Sequence, residues 1–290
     1  QAEAARSGFL ALSASDGKTW AVLVRGLRNP FGVAIHPHGE LFTYDADAEY
    51  DMGSPWYRPT RIDHLVPGSD FGWRRVTRPW PPYVPDRPDM PPPTLDIGKG
   101  SPTAVAFGTG SKFPAPYDEA LYALDWSYGR ILAVHLTPRG SSYSAKAETF
   151  LRGRPANVTD VEFGPDGAMY FVTGGRGTQS GLYRVRFVGS VANRAPDTKQ
   201  QRARAEHAEQ SRQLRRSLEA LHGSDASSEA VNQAWPHLGS PDTWIRHAAR
   251  IALEWHPPQT WQEKAFSESD PASCLTALLA FAQVGSKKHH

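Results

Sequence analysis

The chain has 290 residues with 32 basic and 30 acidic side chains, and its formal net charge of +2 excludes the electrostatic attraction that a strongly basic domain has for nucleic acid. The single cysteine, Cys274, excludes an internal disulfide, a cysteine-based zinc site and an attached c-type haem within these residues. No apolar run is long enough to span a membrane as a helix.

Short apolar runs separated by Gly, Pro and Asp recur through the first two thirds of the chain and predict β-strands. Three of these runs resemble one another: "GVAIHPHGELFTYD", "AVAFGTGSKFPAPYDEALYALDW" and "DVEFGPDGAMYFVTG". Each reads as a strand, a turn and a second strand, and a hairpin that recurs every several tens of residues is typical of propeller blades. We therefore predict a β-propeller over residues 1–188.

The repeats account for about three blades, whereas propellers have about four to eight. We therefore expect a partial propeller, about half of a ring, with the preceding blades outside this sequence. The chain also begins at "QAEAARSGFL", without an initiator Met or a signal-peptide pattern, so we expect a fragment or a processed product.

After Val188 the composition becomes polar and then helical. We predict a linker over residues 189–204 and an α-helical module over residues 205–290, with helices at 205–223, 227–239 and 240–255. The third helix has Ser240 or Asp242 as its candidate N-cap. Its expected apolar face comprises Trp244, Ile245, Ala248, Ile251, Ala252 and Trp255. Short helices in series suggest an α-solenoid. The predicted fold class is therefore mainly β followed by α.

One acidic stretch, "TYDADAEYDMGSPWYRPTR", places four carboxylates at alternate positions. Carboxylates that share one side of an extended segment can supply the oxygen ligands that Ca²⁺ prefers. The candidate metal ligands are Asp45, Asp47, Glu49 and Asp51. The alternative is an ion-pair network with the arginines that follow, which are Arg58, Arg61, Arg74 and Arg75.

Aromatic and cationic residues near this stretch are candidates for ligand binding. Trp56 and Tyr57 could stack on a sugar ring or pack between blades. Arg28 and Asn29 could bind a cofactor or simply hold a turn. Arg176 lies in the glycine-rich "GGRG" segment, which could approach an anionic ligand closely or be a plain hairpin connection.

The stretch "GLRNPFGVAIHPHGELFTYDAD" resembles the glucose/sorbosone dehydrogenase family, which uses pyrroloquinoline quinone (PQQ). The residues that carry this resemblance are Gly26, Arg28, Asn29 and Gly32. "GSDFGWR", the Lys-Phe-Pro turn of the second repeat and the third repeat extend the resemblance over about residues 20–187. The stretches "DADAEYDMGSPWYRPTR" and "TGGRGTQSGLYRV" are similar to a subgroup of planctomycete-type multidomain "membrane-bound dehydrogenase" proteins, which carry HEAT-like repeats and a cytochrome c domain.

The resemblance implies a periplasmic or cell-envelope dehydrogenase that oxidises a sugar or polyol and passes electrons to a cytochrome. It implies PQQ as the cofactor, held on Ca²⁺, and it places the catalytic histidine in a blade that precedes this sequence. The cofactor-binding candidates are Arg28, Asn29, Arg58, Arg61 and Arg176. The substrate-binding candidates are Trp56 and Tyr57.

This sequence departs from the family pattern at four positions. Phe31 stands where the family has a glutamine, Ser127 falls near a quinone-binding lysine, and Asn157 and Thr159 fall near a pair of arginines. Because an anionic quinone needs cations, these departures leave open an alternative. In that alternative the chain is a non-catalytic propeller with a helical scaffold, and it binds carbohydrate or protein.

Overall fold

The computed structural model describes residues 7–46, 59–73, 90–190, 198–223 and 228–285. The chain forms two compact units. One comprises Gln1–Thr137 and Tyr143–Pro196, and the other comprises Pro138–Ser142 and Asp197–His290.

The first unit contains the β-strands, apart from the tip of one hairpin at residues 138–142, which belongs to the second unit. The strands form antiparallel sheets in simple up-and-down order. The strands are β1 (Gly8–Ser13), β2 (Trp20–Leu27), β3 (Val33–Ile35), β4 (Leu41–Asp45), β5 (Thr60–His64), β6 (Leu95–Gly98), β7 (Pro102–Phe107), β8 (Leu121–Asp125), β9 (Arg130–Arg139), β10 (Ser142–Arg152), β11 (Val158–Phe163), β12 (Met169–Gly175) and β13 (Thr178–Val185). Strands β3–β6 and β7–β10 form two four-stranded sheets, β11–β13 form a three-stranded sheet, and β1–β2 form a separate hairpin.

The three larger sheets are propeller blades, and we name them blade 1 (β3–β6), blade 2 (β7–β10) and blade 3 (β11–β13). Each of the three sequence repeats forms the first two strands of one blade. The first strands of neighbouring blades pack together, β3 against β7 and β7 against β11. The prediction of a partial propeller followed by helices is therefore confirmed.

Two hydrophobic cores lie between the blades, and strand β8 contributes to both. Leu121 and Ala123 belong to the core shared with blade 1, whereas Tyr122 and Leu124 belong to the core shared with blade 3. Successive side chains of a strand point to opposite faces, so a strand buried on both faces must be apolar throughout. This explains why "LYAL" has no alternation of apolar and polar residues.

The second unit contains the helices. They are α1 (Lys199–Glu219), α2 (Ser228–Ala234), α3 (Thr243–Glu254), α4 (Gln262–Ser267) and α5 (Pro271–Val284), with short 3₁₀ turns at Trp235–His237 and Pro258–Thr260. No helix among these described residues has the length and apolarity that crossing a membrane requires.

The predicted linker is wrong at its C-terminal end, because residues 199–204 belong to helix α1. Thr198 begins this helix with a capping box. Its hydroxyl accepts a hydrogen bond from the Gln201 backbone N–H (3.2 Å), and its own N–H donates to Gln201 Oε1 (2.8 Å). The polar composition of this segment concealed a helix that begins six residues before the predicted start at Ala205.

The core of the helical unit forms around α3. Ile245, Ala248 and Ala252 are buried in it together with residues of the other helices, as the apolar pattern predicts. Trp244 and Ile251 are also buried, whereas Trp255 lies at the C-cap of α3 and is 58% exposed. Of the two predicted N-cap residues, Asp242 caps the helix, and its carboxylate accepts the N–H groups of Trp244 and Ile245.

Candidate functional site: one face of the propeller

The blades bring several predicted site residues to one end of the sheets. In an antiparallel pair, the start of the first strand lies beside the end of the second. The segments at this end are called the entry face and comprise residues 28–32, 45–46, 99–101, 126–129, 155–157 and 174–178. The Trp126 indole N–H donates to the Gly174 carbonyl (2.7 Å), which connects blades 2 and 3 at this face.

The glycine that opens the family-like motif lies where no other residue fits. Gly26 has a φ of 77°, which favours glycine. A Cβ at this position would lie 2.2 Å from Asp70 Oδ1 and 2.7 Å from the Phe71 nitrogen. The segment is held by Arg25, whose side chain donates to Asp70 Oδ2 (2.9 Å). The motif glycine therefore has a structural role in setting the path of the chain towards Arg28.

Asp45 holds the motif in place from the end of β4. Its side chain is fully buried, and its two oxygens accept the backbone N–H groups of Arg28 (2.9 Å) and Asn29 (2.8 Å). The sequence predicted Asp45 as a calcium ligand. In the structure, its carboxylate binds backbone N–H groups and so holds the start of blade 1 in place. The Arg28 side chain is half-buried and the Asn29 side chain is exposed.

Blade 2 repeats this arrangement with Asp125 at the end of β8. Asp125 is also fully buried, its Oδ1 accepts the backbone N–H of Ser101 (2.9 Å), and its Oδ2 accepts the Arg130 Nε–H (2.8 Å). Blade 3 has no aspartate at the equivalent place, and there the Gly174 N–H donates to the Asn157 carbonyl (2.9 Å). The endings "LFTYD" and "LYALD" could have revealed this shared role in the sequence.

Arg61 points into the protein, although it was predicted to reach a cofactor. Arg61 lies opposite Asp45 where strands β4 and β5 pair, and it is only 2% exposed. Its Nε lies 3.2 Å from Asp63 Oδ2, its Nη2 donates to the Phe71 carbonyl (3.1 Å), and its guanidinium lies over the Phe71 ring. Because its guanidinium is buried among these groups in blade 1, Arg61 is not exposed to a cofactor on the entry face.

Arg176 is exposed on the entry face. It forms the two-residue turn between β12 and β13 with Gly177, and both residues have positive φ (49° and 78°). Its guanidinium lies 5.3 Å from the centroid of the Trp126 ring. No carboxylate within the described part of the chain pairs with it. Sequence reasoning found Arg176 but missed Trp126, because the two are far apart in the chain.

The residues that stand near the family's arginine pair form hydrogen bonds with main-chain carbonyls. The Asn157 side chain donates to the Trp126 carbonyl (3.0 Å), and the Thr159 hydroxyl donates to the Val172 carbonyl (3.2 Å). Phe31 is 69% exposed. Asn157 and Thr159 contribute hydrogen bonds between or within blades, Phe31 contributes apolar surface, and none of the three supplies positive charge.

The remaining predicted site residues lie outside the described residues. They are Asp47, Glu49, Asp51, Trp56, Tyr57 and Arg58. Within the described ranges, no group of three or more His, Cys, Asp or Glu side chains is arranged to hold a metal ion. The calcium site therefore stays a prediction.

Two histidines near the first blade are structural. His64 is buried, and its Nε2 lies 2.7 Å from Glu40 Oε2. His36 packs against the rings of Phe107 and Tyr143. Both belong to the β3–β4–β5 region, at the end away from the entry face.

A family model described as Glucose / Sorbosone dehydrogenase matches residues 11–184. The comparison with curated proteins gives no match.

Among solved structures, the chain aligns with an oxidoreductase (glucose dehydrogenase) from Thermus thermophilus at 26% identity, over 56% of this chain and 46% of that one, with a TM-score of 0.44. It aligns with the PQQ-bound aldose sugar dehydrogenase from Streptomyces coelicolor at 17% identity, over 61% and 51% of the two chains, with a TM-score of 0.45. The soluble aldose sugar dehydrogenase from Escherichia coli, in its apo-form, aligns at 18% identity over 52% and 43%, with a TM-score of 0.43. The chain spans about half the length of these proteins.

Proposed function

Because the chain belongs to the glucose/sorbosone dehydrogenase family over residues 11–184, we propose that it forms part of a PQQ-dependent enzyme that oxidises a sugar or polyol. PQQ, when bound, supplies the hydride acceptor for oxidation of the alcohol. One observation carries the proposal beyond family membership. The entry face presents Arg176 as an exposed cation, and no described carboxylate neutralises it.

The described residues fit an anionic quinone in part. Arg176 offers a planar cation suited to a carboxylate, and the Arg28–Asn29 segment lies on the same face. Each oxygen of Asp45 accepts a backbone N–H from that segment, so the segment is already ordered. We therefore propose Arg28, Asn29 and Arg176 as the described residues that hold the cofactor, with Arg58 as a further candidate.

Calcium binding and substrate binding belong to the same proposal. Asp45 would supply one carboxylate to Ca²⁺, and Asp47, Glu49 and Asp51 would supply the others. Trp56 and Tyr57 would stack on the sugar. We also propose that the helical module is HEAT-like, that electrons leave to a cytochrome c domain or protein, and that the enzyme works in the periplasm or cell envelope.

A non-catalytic role is the second candidate, in which the propeller binds carbohydrate or protein and the helices act as a scaffold. It is favoured by the environment of Asn157 and Thr159, whose side chains are engaged with main-chain carbonyls of the blades. Phe31 adds exposed apolar surface where the family has a polar group. A surface of this kind suits recognition without redox chemistry.

Reconstitution of the full-length protein with PQQ and Ca²⁺, followed by dye-reduction assays with a panel of sugars and polyols, separates the two candidates. We expect sugar-dependent reduction in the wild type and a loss of roughly tenfold or more in quinone affinity in Arg176→Gln, because a charge-assisted hydrogen bond is lost.

Arg186→Gln is the matched control, since Arg186 is exposed just after β13, at the end away from the entry face. It should behave as the wild type. If the protein takes up no quinone and reduces no dye with any sugar, the enzymatic proposal is wrong and the scaffold role stands.

A further inference from the structure

Trp126 is fixed on the entry face by hydrogen bonds on three sides. Its backbone N–H donates to the Ser101 carbonyl (2.9 Å), and its own carbonyl accepts a hydrogen bond from the Asn157 side chain (3.0 Å). Its indole Nε1–H donates to the Gly174 carbonyl (2.7 Å). The ring is therefore held between the second and third blades, in one orientation and half-buried.

The ring of Trp126 supports the charge on the neighbouring turn. Arg176 stands between Gly175 and Gly177, and its φ of 49° places a bulky residue in the left-handed region that glycine and asparagine favour. A Cβ added to Gly175 would lie 3.4 Å from the Trp126 Nε1, so the ring lies directly against this turn. The central carbon of the guanidinium lies over the ring, 5.3 Å from the ring centroid.

A cation–π contact of this kind holds an arginine without consuming its hydrogen-bond donors. A guanidinium is planar and weakly hydrated, so it lies well on an indole face, and its N–H groups remain available around its edge. Two arginines of the neighbouring strands form ion pairs instead, Arg130 with Asp125 and Arg184 with Asp166. Arg176 is ordered by an uncharged ring and keeps its full charge for a ligand.

We infer that Trp126 is a positioning residue that orients Arg176 to bind a carboxylate of a flat, anionic ligand on the entry face. This inference rests on the proposed function for the identity of the ligand, PQQ. Because Trp126 acts through Arg176, loss of its ring should weaken ligand binding. Its indole N–H has a separate role, since it connects blade 2 to blade 3 through the Gly174 carbonyl. The two roles can be separated because phenylalanine keeps a ring and loses the N–H.

The first test measures PQQ affinity of the full-length protein by fluorescence titration. We expect Trp126→Leu to weaken binding by roughly three- to tenfold and Trp126→Phe by less than about threefold, because phenylalanine still offers an aromatic face. The double variant Trp126→Leu/Arg176→Gln should bind no more weakly than Arg176→Gln alone, since the two residues act as one unit. Trp255→Leu, at an exposed tryptophan of the helical unit, is the control and should bind normally.

The second test needs no ligand. The side-chain Nε–H signal of Arg176 in a ¹⁵N-labelled 290-residue chain should carry a ring-current shift that Trp126→Phe largely preserves and Trp126→Leu abolishes. Equal affinities of Trp126→Leu and wild type would overturn the inference while leaving the proposed function intact. If the wild type binds no PQQ, the proposed function fails. The Arg176 signal then decides the positioning role alone, and an unchanged signal in Trp126→Leu overturns it.

Discussion

Single buried aspartates determine how two of the blades begin. Asp45 and Asp125 each end the second strand of a blade and accept backbone N–H groups from the segment that leads into the first strand. Buried N–H groups must find acceptors, and a carboxylate satisfies two at once. In blade 1 the segment held in this way is the Arg28–Asn29 motif, so a structural aspartate sets the position of candidate cofactor-binding residues.

Asp45→Asn should therefore destabilise the propeller. An amide keeps one carbonyl acceptor and turns its NH₂ group towards a backbone donor, so one N–H loses its partner at a cost of about 1–3 kcal/mol. Urea unfolding should show a lower midpoint than the wild type. Asp96→Asn is the matched control, because Asp96 is exposed in β6, and its midpoint should not change. Equal midpoints for both variants would contradict the role of Asp45.

Arg176 combines an exposed charge with an unfavourable backbone conformation. A non-glycine residue in the left-handed region costs roughly 1–2 kcal/mol, and such strain is often retained at functional sites. Arg176→Gly should raise the free energy of unfolding by about 0.5–1 kcal/mol, after allowance for the greater freedom of glycine in the unfolded chain. It should also weaken quinone binding.

Chemical denaturation and PQQ titration on the same samples test both parts of this prediction. Gly177→Ala is a control with the opposite expected effect. Gly177 has a φ of 78°, so an added methyl group should lower the free energy of unfolding. A loss of stability in Arg176→Gly would contradict the prediction, because it would show that relief of strain in the turn is smaller than the lost contact with Trp126.

Helix α3 illustrates how one element depends on its N-cap residue, Asp242. The Asp242 carboxylate accepts the N–H groups of Trp244 (2.9 Å) and Ile245 (3.2 Å). It also accepts the N–H and hydroxyl of Ser141, a member of the same compact unit. Because α3 carries the central part of the helical core, the effect of its cap extends to the whole unit.

Asp242→Ala should cost the helical unit about 2 kcal/mol or more, since N-cap losses alone reach about 0.5–2 kcal/mol. Asp270 caps α5 through a single backbone N–H, that of Ser273 (2.8 Å), and serves for comparison. We expect Asp270→Ala to lower the thermal midpoint of the helical circular dichroism signal by less than Asp242→Ala does. The reverse order would show that the additional hydrogen bonds of Asp242 contribute little.

At the scale of the whole molecule, the helical unit should be sensitive to mild acid. Burial in the helical unit lowers the pKa of His222 to about 4, against the opposing effect of its hydrogen bond to the Ala248 carbonyl. Burial also lowers the pKa of His256. Both side chains are therefore neutral in the folded protein at pH values where they are charged in the unfolded chain.

The sign of the pH dependence follows from these lowered pKa values. The stabilising contribution is complete above the ordinary histidine pKa of about 6.5 and is lost as the pH falls towards 4. The thermal midpoint of the helical circular dichroism signal should therefore be lower at pH 5 than at pH 7.5. The difference corresponds to a loss of stability on the order of 2 kcal/mol. His222→Gln should flatten this dependence. An equal midpoint at both pH values would contradict the prediction.

The sequence alone determined the features that depend on neighbours in the chain. Alternation of side chains along a strand, the repeated hairpins and the Asp242 cap are local, and they were sufficient to predict the partial propeller and the helices that follow it. The capping pattern at Thr198 was equally local but was overlooked within polar residues.

Only the tertiary structure decided which charged side chains are exposed and which are buried. Arg61 and Arg176 look alike as sequence candidates, but blade 1 buries Arg61 beside Asp63, whereas a tight turn exposes Arg176 over Trp126. The partners of Asp45 and Trp126 likewise come from distant parts of the chain. The physical reason is that pairing across blades depends on how the sheets pack, and no spacing within one repeat encodes that packing.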